Sequence, residues 1–138
     1  ACAIGTSHGA YKFSSDGKVD IARVEKLTEV LPNIPLVMHG SSSVPQEYVK
    51  IINEFGGDLA GARGVEEATI SEAVKFGVSK VNIDTDLRLV MTAMIRKIFI
   101  ESPKEFDPRK YLGPARDEIQ KMVEHKINVL GSAGKIRG

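Results

Sequence analysis

Cys2 is the only cysteine, so no disulfide can form within the chain, and a reducing compartment fits. Charge of one sign is equally scarce. Nineteen basic residues against 18 acidic ones give a formal net charge of +1, with no broad field to draw in nucleic acid or an anionic membrane surface. Any anion site must therefore be local. No apolar run approaches the roughly 18 to 20 residues that a membrane span takes, no signal peptide is visible, and no low-complexity segment or domain-sized linker interrupts the chain. The expected compartment is the cytoplasm. An initiator methionine is also missing: Ala1-Cys2-Ala3-Ile4 reads as though it starts inside a strand, so one piece of a longer polypeptide is expected.

The 138 residues are 42% hydrophobic and 27% charged, which suits one globular unit with a sizeable core. Small apolar residues from Ala1 to Thr6 read as a buried strand. Asp20 then caps a helix with Ile21, Val24, Leu27 and Leu31 on one face, stopped by Pro32. Ile34 to Met38 reads as a second strand. Ser43 with Pro45 opens a helix carrying Tyr48, Ile51, Ile52 and Phe55, closed by Gly56-Gly57. Another helix is predicted over 65–76. A third strand with Val81 and Ile83 alternating with Asn82 and Asp84 follows, and Asp84 or Thr85 caps the helix carrying Leu87, Val90, Met91, Met94, Ile95 and Ile98. A last helix is predicted from Pro114 to about Leu130, after a polar connection over 103–113.

Strands separated by helical crossovers are parallel βαβ units, whose carboxyl ends share one rim. Three strands are too few to close a (β/α)8 barrel, so the spacing predicts the second half of a TIM barrel, with an open doubly wound sheet as the alternative. At that rim polar residues collect three times. His8 and His39 end two strands and each precedes a glycine, which suits two of the three protein ligands of a catalytic zinc; a pair of histidines satisfied by hydrogen bonds is the simpler alternative. His125, deep in the last helix, reads as a solvated surface residue. Gly9, Gly40 and the serines after it, with Lys12 for charge, suit a phosphate cradle, unless the glycines only turn the chain. Arg88 sits one turn into a helix, where a cation opposes the dipole, and is better explained by an anionic ligand. Arg109 reads as a solvated loop residue.

Ala3-Ile4-Gly5-Thr6-Ser7-His8-Gly9-Ala10-Tyr11-Lys12, Val37-Met38-His39-Gly40-Ser41-Ser42, Asn82-Ile83-Asp84-Thr85-Asp86-Leu87-Arg88 and Phe106-Asp107-Pro108-Arg109-Lys110-Tyr111 together resemble the class II, zinc-dependent fructose-1,6-bisphosphate aldolases, over essentially the whole chain. The resemblance implies a TIM (β/α)8 barrel, of which residues 1–138 would hold the last three strands and the C-terminal helices, in a dimer or tetramer. It implies zinc on His8 and His39. Gly9, Lys12, Gly40, Ser42 and Thr85 would surround the phosphate of dihydroxyacetone phosphate, with a monovalent cation (Na+ or K+) nearby. Asn82, in a catalytic role, and Asp84 would meet the substrate's oxygens. Arg88 would bind the other phosphate, joined by Arg109 from a neighbouring subunit. The third histidine, the catalytic aspartate and a mobile-loop glutamate of the family would come from a preceding half, without which the chain is expected to be inactive. Tagatose-1,6-bisphosphate aldolase shares these motifs. A non-catalytic binding or oligomerisation module, and a phosphate-binding barrel with unrelated chemistry, are the other readings.

Overall fold

The computed structural model describes residues 4–6 and 18–136. Their order is α1 (Ile21–Val30), β1 (Leu36–Met38), α2 (Gln46–Glu54), α3 (Glu67–Lys75), β2 (Val78–Val81), α4 (Thr85–Glu101) and α5 (Pro108–Val129). Among the described residues the sheet has two strands, paired in parallel with Leu36 opposite Val78, Val37 opposite Lys80 and Met38 opposite Val81. The register skips one residue between Leu36 and Val37, which leaves Ser79 as the extra residue on β2. Of the first expected strand, only residues 4–6 are described. There the chain bends, with Ile4 fully buried and its carbonyl accepting from the Asp20 amide at 3.0 Å.

Two apolar clusters hold the unit together. Leu36 and Met38 of β1 and Val78 of β2 pack with Ile4, Val24 of α1 and Ile70 and Ala73 of α3. Tyr48, Val49 and Ile52 of α2 meet Leu89, Val90 and Ala93 of α4 and Met122 of α5 in the second. Burying a side chain of this size contributes about 1.5–3 kcal/mol, so these faces rather than helix propensity fix how the helices lie. The helix starts follow local chemistry: Asp20 accepts from the Arg23 amide at 2.9 Å at the head of α1. No helix among the described residues is long and apolar enough to cross a membrane.

Two boundaries differ from the sequence-based expectation. The third expected strand starts and ends earlier, over Val78–Val81, because its partner β1 runs only from Leu36 to Met38 and the pairing closes with Met38 opposite Val81. Beyond it only the Asn82 amide continues the ladder, donating to the Met38 carbonyl at 3.0 Å. The last helix starts at Pro108 rather than Pro114. Asp107 caps it by accepting from the Arg109 amide at 3.0 Å, and Pro108 takes the first turn, where its missing N–H removes no helical bond. Pro114 lies inside that helix. The turn before it is anchored by Tyr111, whose ring stands edge-on to Phe99 of α4 at 4.9 Å between centroids.

Candidate functional site

Both strands hand over to helices at the same rim, through residues 39–45 after β1 and residues 82–84 after β2. His39 follows β1 directly. Its carbonyl accepts from Thr6 Oγ1 at 2.7 Å and Ser41 Oγ at 3.0 Å, and its ring Nδ1 lies 3.0 Å from Asn82 Nδ2. The parallel pairing of Met38 with Val81 places these two side chains side by side, one residue beyond each strand. Gly40 turns the chain with φ +62°, a conformation that glycine adopts at no steric cost.

Ser42 is buried, and its Oγ accepts from the amides of Asp84 at 3.3 Å and Thr85 at 3.2 Å. The head of α4 is thus capped from the neighbouring strand's loop. Asp84 occupies the N-cap position, but its side chain makes no capping bond. Its carboxylate instead pairs with Arg88 Nε at 2.9 Å, four residues on and well exposed. That partner offsets the unfavourable placement of a cation near a helix start, so no ligand is required to account for Arg88. Gly64 backs the loop: the Val65 amide donates to the Ser42 carbonyl at 3.1 Å, and a Cβ at residue 64 would collide with the Ser42 and Ser43 backbone.

Behind this rim lies a charged cluster that pattern reading missed. Asp86 is fully buried: Oδ1 accepts from the Val44 amide at 2.8 Å, and Oδ2 from the Ser43 amide at 2.9 Å and Ser43 Oγ at 3.1 Å. Lys126, also buried, directs Nζ to Ser43 Oγ at 2.6 Å, Glu67 Oε1 at 2.6 Å and Asp86 Oδ2 at 2.8 Å. His125 Nε2 reaches Glu67 Oε2 at 2.6 Å. Burial raises the Glu67 pKa, but hydrogen bonds and charge from Lys126 and His125 outweigh it and hold the carboxyl below its ordinary value. A signal was present: Lys126 continues the series Ala115, Ile119 and Met122, and Asp86 the series Leu89, Val90 and Ala93, so each charge occupies an apolar face.

Of the expected site residues, Gly40, Ser42, Asn82, Asp84 and Thr85 come together with His39. His8, Gly9 and Lys12 lie outside the described residues. Arg109 is not in a loop but in the first turn of α5, where Nε and Nη2 both bind Asp107, holding that carboxyl below its usual range. His125 is exposed, as expected, but bonded to Glu67. Among the described residues no three His, Cys, Asp or Glu side chains gather into a metal-binding group. His39 is the one expected ligand open to test, and it fits a metal once the Asn82 amide is turned over from its placement here. With Asn82 Nδ2–H donating, Nδ1 accepts and Nε2 carries the proton. Turning the amide over puts the proton on Nδ1 and gives Nε2 the lone pair that a metal takes.

Parallel strands joined through helices make this an α/β protein, and its polar residues gather at the carboxyl rim, the edge where such sheets generally bind ligands. Comparison with known families narrows this. Residues 1–135 match the family described as fructose-bisphosphate aldolase class-II, and the chain belongs to it. Relatives named fructose-bisphosphate aldolase include those of Giardia intestinalis (52% identical over 136 residues), Thermus caldophilus (45% over 135) and Xanthobacter flavus (48% over 138). These alignments cover 97%, 98% and 98% of this chain but 42%, 44% and 39% of the relatives, so the chain spans about two-fifths of their length.

Proposed function

We propose that this chain forms the C-terminal part of a (β/α)8 barrel and supplies one side of the site for zinc-dependent, reversible cleavage of fructose 1,6-bisphosphate to dihydroxyacetone phosphate and glyceraldehyde 3-phosphate. The observation that carries the reading is the junction at the rim, where the His39 ring meets Asn82 while Ser42 gathers the first amides of α4. Ser42 accepts those amides with its lone pairs, so its proton remains for an anion's oxygen. The positive end of α4 favours negative charge at the same place. Gly40, Thr85 and, from the part of the chain not described, Gly9 and Lys12 complete the phosphate cradle, with a monovalent cation beside it. Asn82 fixes the tautomer and orientation of His39 and, with Asp84, meets the oxygens of the triose. Arg88 swings from Asp84 to the second phosphate, and Arg109 of a neighbouring subunit joins it in a homo-oligomer.

His8 and His39 would hold the zinc, which when bound supplies Lewis-acid polarisation of the ketone. The remaining ligand and the acid–base residues belong to the part of the barrel outside this chain, and turnover requires both parts, as a soluble enzyme of the cytoplasm. Cleavage of fructose 1,6-bisphosphate, assayed before and after chelation and again with zinc restored, tests the reading. Activity is expected to vanish and return; turnover indifferent to chelation refutes it. Tagatose 1,6-bisphosphate run in parallel decides between the two sugars. In the intact protein His39→Ala is expected to lose zinc and activity while staying folded, and retained turnover would remove the metal assignment.

A further inference from the structure

We propose that Lys126, acting through Asp86 and Ser43, is a positioning residue for the anion-binding segment Gly40–Ser42, an inference that rests on the phosphate reading above. The Lys126 ammonium donates to Ser43 Oγ and Glu67 Oε1 and forms an ion pair with Asp86 Oδ2 at 2.8 Å, so it ties α3, α4 and the loop after β1 together from α5. Asp86 transmits that arrangement to the backbone by clamping the consecutive amides of Ser43 and Val44. Val44 sits at φ +54°, a conformation that a β-branched side chain resists and that persists only where surrounding contacts enforce it. The enforced turn lies directly after Ser42, whose Oγ gathers the amides of Asp84 and Thr85.

A buried ion pair contributes little net stability compared with apolar residues of the same volume. The arrangement is therefore better explained by the geometry it imposes on Ser42 and Gly40 than by the energy it adds. Lys126 itself lies in the last turn of α5 and, among the described residues, reaches the proposed cradle only through Ser43 and Asp86.

The test uses the intact, zinc-loaded protein with inorganic phosphate as the titrated ligand, alongside steady-state cleavage. For Lys126→Met we expect a folded protein with unchanged zinc content, a phosphate Kd and a substrate KM raised roughly tenfold, and kcat within about twofold, since a small misplacement of binding groups weakens affinity before chemistry. Lys126→Arg, which keeps the charge and the donors, is expected to recover most of the affinity. A lower melting temperature with unchanged Kd and KM would overturn the proposal and leave Lys126 a stabilising residue only. Should Lys126→Met fail to fold, Ser43→Ala decides, because it keeps the Asp86–Lys126 pair and both clamped amides while removing the hydroxyl that bridges them. Weaker phosphate binding there supports the proposal, and unchanged binding overturns it. A parent protein that binds no phosphate overturns the site reading and this proposal with it, whereas binding by parent and variants alike overturns the positioning role alone.

Discussion

Replacing Asp86 by alanine removes the one carboxylate among the described residues that is both fully buried and bonded to two successive backbone amides. Its loss strands the Ser43 and Val44 N–H groups, each costing about 1–3 kcal/mol if no water reaches it. The Lys126 ammonium keeps Glu67 and Ser43 Oγ at 2.6 Å each, so it is deprived of one partner of three rather than left bare. The turn at Val44, φ +54°, loses the contact that enforces it. Together these place Asp86→Ala at about 3–5 kcal/mol, the range for breaking a buried pair by removing one member. That is a large fraction of the roughly 5–15 kcal/mol that separates folded from unfolded domains. Urea denaturation of parent and variant measures it, with Lys126→Met and the double variant completing a cycle. The double variant is expected to be less destabilised than the sum, because the unpaired charge is gone. A single-variant cost under about 1 kcal/mol, or strictly additive costs, would refute the reasoning.

Further expectations follow from the same geometry. Gly64→Ala should destabilise by about 1–3 kcal/mol and weaken phosphate binding together, because the added Cβ meets backbone of Ser42 and Ser43 that cannot rotate away; normal stability and affinity would show that the loop yields. Tyr48→Phe should cost about 1 kcal/mol in denaturation, by removing the 2.9 Å bond to Glu118. Burial, then that bond, raises the Tyr48 hydroxyl pKa, so its share of stability is present below the ordinary tyrosine value near 10 and fades only as pH climbs toward the raised one, which an ultraviolet titration would follow. Glu67 behaves oppositely. With its folded pKa depressed, its contribution is full above the unfolded value of about 4.3 and is lost as pH falls through the folded value, so Glu67→Gln should flatten the acid limb of a stability–pH curve. A parallel acid limb in parent and variant would count against the Lys126–Glu67–His125 linkage.

Much of the rim was legible because its signals are local. The helix start at Asp20, the stop after Leu31, the helix after Pro45 and the start of α4 beside Asp84 each rest on residues within a turn of one another. The start of α5 was misjudged although its signal was equally local, since Asp107-Pro108 and Gly113-Pro114 both look like beginnings and only the side-chain cap at Asp107 separates them. The shift of β2 had no local signal at all, because where its pairing begins and ends is set by the partner strand β1.

By itself the sequence determined the alternation of strands and helices, and with it the parallel rim that carries His39, Gly40, Ser42, Asn82 and Asp84, because periodicity and caps act over a few residues. Only the tertiary structure decided which groups those residues answer to. Ser42 caps a helix 43 residues away, Asn82 takes the His39 ring, and Lys126 reaches back 83 residues to Ser43. A buried hydrogen-bonding group must find a partner, and which partner is near depends on how α3, α4 and α5 pack their apolar faces, a property of the folded chain that no short stretch contains.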